Sequence, residues 1–450
     1  MEKEFNHIPI RKLVLKLGLP AMAAQFVTIL YSIADRIYLG NLAQGGGQAL
    51  AAVGVCAPAL TILNAFAFLA GTGGAVLMSS SAGRRDQKTA QQAVNTAFTL
   101  ALILSAAVFI SGMIFKRPLL YALGCGDTLY PFADRYFTIC LFGSFAVICG
   151  TGMNQFILAQ GFAKQGLVSV VLGAVINIVL DPILIYGAGM GITGAAAATI
   201  IGQFASAAYV MRFLLGSKPV YRLEIGRFNR RYAAEIFRVG FLPFLIVLLD
   251  NILLISLNSS LQRYGGDQAD AYLACTSVIQ SFITLASLPA QGITTGCGTL
   301  YSFHWGAGNG QKVRQVFKWV FILCISYIGI LFIFVQTVPQ VFTGMFSGGS
   351  SMLASAPELL RMYTLGLPAL AVQYAVVDGL TSMGMTRIAM PVSLFRKGLY
   401  LLCVAVIPQY WNIRNVFYAC PISDIAGSAL SIIVFFTVVR KLLGKRSVGF

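Results

Sequence analysis

Asn177 and Asp181 stand four residues apart with Pro182 directly behind them, deep in an apolar segment, and Thr199 follows early in the next one. On a helix that spacing stacks the amide and the carboxylate on one face, about 5–6 Å apart at Cβ. Pro182 has no N–H for the carbonyl of Ile178, so a backbone oxygen is freed beside the pair. A carboxylate with neutral oxygens converging on it, in apolar surroundings, is what a hard cation or a shuttled proton needs. Asp35 supplies a second acid. Counted from the outer ends of their segments, Asp35, Asp181 and Thr199 lie about five, six and eight residues in, roughly 8–12 Å deep at the helical rise of about 1.5 Å per residue. The spacing therefore predicts one polar layer of Asp35, Asn177, Asp181 and Thr199, able to hold Na⁺ or a proton, the alternative being separate helix–helix hydrogen bonds of about 0.6–2 kcal/mol each. Two carboxylates so close do not both stay charged without a counter-charge, so cation and proton would compete for the layer.

Such a layer needs long apolar helices to carry it. The 450 residues are 57% hydrophobic and only 10% charged, against about 25% charged in soluble domains, and apolar runs of twenty or more residues recur, which points to membrane helices rather than barrel strands. The apolar run Leu13 to Leu39 is too long for a signal-peptide core and is read as a retained helix. Twelve spans are predicted, at 13–40, 50–81, 90–115, 132–161, 165–187, 191–214, 233–261, 270–302, 313–336, 357–385, 388–409 and 415–439. The net charge of +17 is spread through short loops, which fits positive-inside topology better than nucleic-acid binding. With both termini cytoplasmic, the inner segments hold Lys3, Arg11, Lys12, Lys16, Arg84, Arg85, Lys88, Lys164, the cluster from Arg212 through Arg231, Lys312, Arg314, Arg387 and the tail Arg440, Lys441, Lys445 and Arg446, while the outer ones keep only Lys116, Arg117, Arg263 and Arg414. The nine cysteines form no CxxC pair and read as small buried apolar residues.

The chain is also duplicated. Leu17-Gly-Leu-Pro20 returns as Val239-Gly-Phe-Leu-Pro243, Ala82-Gly-Arg-Arg-Asp-Gln-Lys88 as Ala307-Gly-Asn-Gly-Gln-Lys312 with one residue of slippage, Arg135-Tyr-Phe-Thr138 as Arg361-Met-Tyr-Thr364, and Gly161-Phe-Ala-Lys164 as Gly384-Met-Thr-Arg387. Six helices per copy make the halves parallel, related by a pseudo-two-fold axis along the membrane normal. The expected architecture is an all-α integral membrane protein: an N-lobe over residues 1–214, a basic cytoplasmic linker over 215–231, and a C-lobe over 232–450, with a substrate cleft between the lobes.

Asp250, Asp378 and Asp424 also fall inside predicted spans, where an unpartnered acid costs about 2.5–3.5 kcal/mol even on the lower scales. Arg396 and Lys397 interrupt the eleventh span, and an Asp378–Arg396 pair is the economical structural reading; Asp250 and Asp378 are alternatively substrate contacts. Asp424 has no nameable partner. Tyr31, Tyr136 and Met153 are core residues by default, but can line a cavity for flat apolar cations. Pro20 could let the first helix bend with the state of the layer. Gly124-Cys-Gly-Asp127 fits the G-x-G-D pattern of intramembrane proteases, yet it falls in an outer loop and no Tyr-Asp dipeptide supplies a second aspartate. Neither GxxxxGK[ST] nor HExxH is present, so ATP-driven and zinc-peptidase chemistry lack their machinery in this chain.

Leu17-Gly-Leu-Pro20, Asp35-Arg-Ile-Tyr-Leu-Gly40, Ala51-Ala-Val-Gly54, Asn177-x3-Asp181-Pro182 and Met190-Gly-Ile-x-Gly-Ala-Ala-x-Ala-Thr199, in that order, resemble the MATE (multidrug and toxic compound extrusion) transporters, in the broad group with DinF-like and MepA-like members. The resemblance implies two six-helix lobes and export of organic-cation or other amphipathic drugs, or toxic metabolites, in exchange for Na⁺ or H⁺, with no further cofactor. It also implies an ion or proton site at Asp35, Asn177, Asp181 and Thr199, and an N-lobe cavity at Tyr31, Tyr136 and Asn154. Some members carry a Glu on the seventh helix where this chain offers Asp250 or Asn251, and a tenth-helix acid placed further from the following Gly than Asp378 is. The reading is a monomeric, multi-pass cell-membrane antiporter, not an enzyme, whose partners are a small molecule and the lipid bilayer. The alternatives are a flippase for lipid-linked precursors, whose cavity would present arginines, and an intramembrane enzyme.

Overall fold

A computed structural model of the protein describes residues 5, 7–42, 46–347 and 353–439, which form helices joined by turns and short irregular segments, with no strand among the described residues. Lys3, Arg440, Lys441, Lys445 and Arg446 of the topology argument lie outside the described residues. The helices are α1 (Ile10–Gly40), α2 (Gly46–Gly83), α3 (Gln87–Ala122), α4 (Tyr130–Phe142), α5 (Ser144–Ala159), α6 (Ala163–Pro182), α7 (Ile192–Leu215), α8 (Arg230–Tyr264), α9 (Ala269–Gly306), α10 (Gly310–Thr337), α11 (Pro339–Ser347), α12 (Ala356–Thr364), α13 (Leu367–Ser382), α14 (Thr386–Tyr410) and α15 (Ala419–Val434).

Among the described residues ten helical segments are long and apolar enough to cross a membrane, and two further spans are bent pairs, α4–α5 at 48° and α12–α13 at 41°. These twelve correspond one to one with the spans expected from hydropathy. The fourth and tenth are broken rather than continuous, which hydropathy cannot register. Each break falls at a glycine whose missing side chain admits a neighbour: a Cβ on Gly143 would sit 2.8 Å from Ile200 Cγ1, and one on Gly366 would sit 2.7 Å from Pro421 Cα. The nine-residue α11 is too short to span a bilayer, which needs about twenty residues.

Two compact units emerge, residues 1–7 with 19–247 and residues 8–18 with 248–450. Their internal geometry repeats. Asp86 caps α3 at φ −86°, ψ 80° and accepts from the Thr89 N–H; Asn309 caps α10 at φ −86°, ψ 80° and accepts from the Lys312 N–H. Arg85 and Gly308 before them both have positive φ, 64° and 76°, as do Gly161 and Gly384 before α6 and α14, 88° and 75°. All of these pairs are 223 residues apart, so the slippage expected between Ala82–Lys88 and Ala307–Lys312 is removed. The equivalence is carried by backbone conformation and cap chemistry, which a match of letters misplaces by one.

Lipid offers no solvophobic reason for apolar helices to associate, so close approach of small residues must hold the units together. Within the first unit a Cβ on Gly71 or Gly152 would strike the other helix's backbone, and Gly74 is filled by Phe156 and Ala97. At one end of that unit Leu39, Ala52, Cys56, Ala133, Tyr136, Phe137, Ile185 and Ala195 form a buried apolar cluster.

Candidate functional site

Helix α6 ends at Pro182 and passes into a single π turn, Ile183–Gly187, closed by the Ala188 N–H on the Ile183 carbonyl at 2.8 Å. One turn before this irregularity the polar residues meet. Asn177 Nδ2 donates to Asp181 Oδ1 at 3.2 Å along α6 and to Thr199 Oγ1 on α7 at 3.4 Å. Asp181 is fully buried and Asn177 is 3% exposed. What lets α7 come so near is glycine: a Cβ on Gly202 would lie 2.6 Å from the Gly173 carbonyl oxygen, and one on Gly173 2.9 Å from that of Gly202. Gly173 is one turn before Asn177 and Gly202 one turn after Thr199, so the backbone contact and the side-chain bridge occupy one stripe.

Three oxygens around this bridge are buried and accept no hydrogen bond: Asn177 Oδ1, Asp181 Oδ2 and Asp35 Oδ1. Asp35, half-buried on α1, is within electrostatic reach of Asp181, Tyr31 and Tyr136. Tyr136 is buried in the apolar cluster, so its ring forms a low-dielectric side of the layer, where a carboxylate interaction is stronger than in water. Met153 is buried on α5. Asn154, next to it, has its Oδ1 against Gly166, eleven residues and about 16 Å along α6 from Asn177 at the helical rise, so it is not brought to the Asp35 layer. Pro20 lies within α1, two residues past Gly18, where the chain passes from one unit to the other. Buried acceptors with no donor cost free energy, and a set made only of carboxylate, amide and hydroxyl oxygens suits a hard cation or protons rather than a soft metal.

The second unit arranges its acids differently. Arg396 Nη1 pairs with Asp424 Oδ1 at 2.8 Å, both largely shielded, and Cys420 Sγ donates to Asp424 Oδ2 at 3.4 Å. Asp378 accepts from Thr294 Oγ1 at 2.6 Å. The expected Asp378–Arg396 pair is thus replaced, and Asp424 has the partner the sequence could not name. Lys397 pairs with Asp250 of α8, a contact spanning 147 residues that sequence reasoning missed. Arg396 and Lys397 are adjacent, about 100° apart around α14, and reach different helices, Arg396 to α15 and Lys397 to α8; that adjacency was the available signal. The two units even share a crossing. Arg396 is 223 residues after Gly173, and Gly427 is 225 after Gly202; a Cβ on Gly427 would meet Arg396 Cβ at 2.8 Å. Where α6 and α7 touch backbone to backbone, an arginine side chain is laid through the equivalent α14–α15 contact.

Compared with known proteins, the chain matches the MatE family model twice, over residues 20–183 and 243–407, one match in each repeat. The multidrug export protein MepA of Staphylococcus aureus (strain NCTC 8325 / PS 47) is 21% identical over 426 residues, 93% of this chain and 92% of MepA. Among solved structures, the outward-facing conformation of a multidrug resistance MATE family transporter of the MOP superfamily has a TM-score of 0.90 at 22% identity, covering 98% of both chains. A MOP superfamily transporter from Pyrococcus furiosus, for which reversed polarity of the binding pocket suggests a different function, has a TM-score of 0.91, also at 22% identity and 98% coverage of both. This chain belongs to the MatE family.

Proposed function

We propose that this MatE-family protein is a secondary antiporter of the cell membrane, both termini cytoplasmic, that exports amphipathic organic cations as Na⁺ or H⁺ enters. Access to its binding sites alternates between the two sides. The observation that carries the reading is the set of buried, partnerless oxygens of Asp35, Asn177 and Asp181 around the Asn177–Thr199 bridge. A coupling ion satisfies them, and a proton on either carboxylate is the competing way to do so. Thr199 contributes a hydroxyl oxygen that suits a metal cation. The multidrug export activity of MepA supports a small-molecule substrate, and the acidic, aromatic surroundings of Asp35 favour a cationic one. A flippase for lipid-linked precursors would need cationic side chains available to a diphosphate, whereas Arg396 and Lys397 are each held by an aspartate.

The test is transport of ethidium in proteoliposomes under separately imposed Na⁺ and pH gradients. The reading requires uptake or efflux coupled to at least one gradient, and loss of that coupling in Asp35→Asn and Asp181→Asn. Well-folded protein that moves ethidium under neither gradient refutes it.

A further inference from the structure

The second unit holds two adjacent ion pairs of opposite design. Arg396–Asp424 is closed: the Asp424 side chain is 3% exposed and the Arg396 side chain 17%, with Cys420 adding a further donor to the carboxylate. Lys397–Asp250 is open at one end only, since the Lys397 side chain is 2% exposed and that of Asp250 is 51%. An ionised carboxylate does not face hydrocarbon, so the open side of Asp250 faces water or a ligand rather than lipid. Around it lie groups suited to an organic cation. The Tyr374 side chain of α13 is within electrostatic reach of Asp250, Arg396 and Asp378, its hydroxyl accepts from Gln291 at 3.3 Å, and an aromatic ring beside a carboxylate is a group that organic cations favour. Apart from these, at the Arg396 crossing by Gly427, Gln373 is 4% exposed and its carboxamide oxygen has no donor.

We propose that Asp250 is an organic-cation site whose occupant in the unloaded protein is the chain's own Lys397 ammonium, so that a substrate cation enters by displacing it. The inference rests on the organic-cation reading above and adds a second site, in the second unit, with its own exchange chemistry. Charge balance decides what leaves. Lys397 and Asp250 compensate one another, and a cation that took the carboxylate without loss of a proton would leave the Lys397 ammonium buried away from it in a low-dielectric setting. Arginine does not release its proton, whereas a buried lysine does. Lys397 therefore gives its proton to water through the opening at Asp250 and remains as a buried neutral amine, while the substrate cation takes the carboxylate. One cation enters, one proton leaves, and the net charge is unchanged. The charged and titratable groups facing this exchange are Asp250 from α8, Tyr374 and Asp378 from α13, Arg396 beside Lys397 on α14, and Asp424 from α15. A purely structural role would have been served by a second arginine and a second buried aspartate, as in the neighbouring pair.

The experiment uses purified full-length protein in an Asp35→Asn/Asp181→Asn background, which silences the first unit's carboxylates, with ethidium binding read by fluorescence polarisation. Binding should tighten by about tenfold per pH unit while Lys397 is charged in the free protein, the linkage expected for one displaced proton. Asp250→Asn should weaken it at least tenfold. Lys397→Gln should bind tighter and without the pH slope. Lys397→Arg keeps the ion pair, and with it the packing, yet should weaken binding and abolish the slope, because its guanidinium keeps its proton. A slope that persists in Lys397→Arg, or unchanged binding in Asp250→Asn, overturns the inference alone, provided ethidium is still transported by the unmutated protein. No ethidium binding and no transport by the unmutated protein overturns both this inference and the reading it rests on.

Discussion

Substituting Gly202 with alanine tests whether the first unit's polar layer is set by helix approach, without replacing any residue of the layer. An added Cβ lies 2.6 Å from the Gly173 carbonyl oxygen and 3.3 Å from Asn177 Cβ. Restoring an ordinary contact of roughly 3.5 Å requires α7 to retreat from α6 by about 0.9 Å. The Asn177–Thr199 hydrogen bond is already 3.4 Å long, and beyond about 3.6 Å no such bond remains. Asn177–Asp181 lies within one helix and is unaffected. A single interhelical hydrogen bond in a membrane is worth about 0.6–2 kcal/mol, so apparent affinity for the coupling ion should fall about threefold to thirtyfold. Gly173→Ala, with 2.9 Å to the Gly202 oxygen and 3.1 Å to Ser206 Cβ, should do the same more mildly. The assay is ethidium transport in proteoliposomes at graded Na⁺ and graded pH, beside thermal stability in detergent. Folded Gly202→Ala protein with unchanged dependence on both ions would refute the claim that this contact sets the layer.

Four further outcomes are expected. Asp35→Asn and Asp181→Asn should each abolish coupled ethidium efflux while membrane insertion, measured by expression in the membrane fraction, stays normal. Thr199→Val removes a metal-binding oxygen but no titratable group, so Na⁺-driven transport should drop more than H⁺-driven transport, and an equal drop assigns coupling to protons. Asp424→Asn breaks the shielded pair with Arg396 and should destabilise by about 3–5 kcal/mol, visible as lost expression or a lowered melting temperature; Asp378→Asn, which keeps an acceptor oxygen for Thr294, should cost much less. In the α2–α3 loop the Thr89 hydrogen bonds hold the Asp86 carboxyl below its ordinary range. Its stabilisation is therefore full above the usual carboxylate pKa and fades as pH falls through the lowered folded value. Asp86→Ala should cost about 0.5–2 kcal/mol at neutral pH, and Asp86→Asn should keep most of the cap and lose the pH dependence, as Asn309 does naturally in the second unit.

Span number and the Asn177–Asp181 pair were legible in the sequence because they rest on local rules, hydropathy over about twenty residues and stacking at four-residue spacing. Depth counting also brought Thr199 to the right level, since helices crossing one slab share a ruler. The breaks at Gly143 and Gly366 were not legible, because a glycine marks a bend only when a neighbouring helix fills the space it leaves. The duplication was visible but misaligned at Asp86, where equivalence resides in dihedral angles rather than letters.

The sequence by itself determined an all-helical, twelve-span membrane chain with acids that lipid would not tolerate unpartnered, for a bilayer leaves each segment little choice but to bond its own backbone. Only the tertiary structure decided which acid meets which partner. Asp424 rather than Asp378 takes Arg396, and Asp250 takes Lys397 across 147 residues, because those choices depend on how α8, α14 and α15 rotate and how closely glycines let them approach. The same physics distinguishes the two units: at equivalent crossings, one holds partnerless oxygens beside a glycine–glycine contact, the other a compensated set of charges.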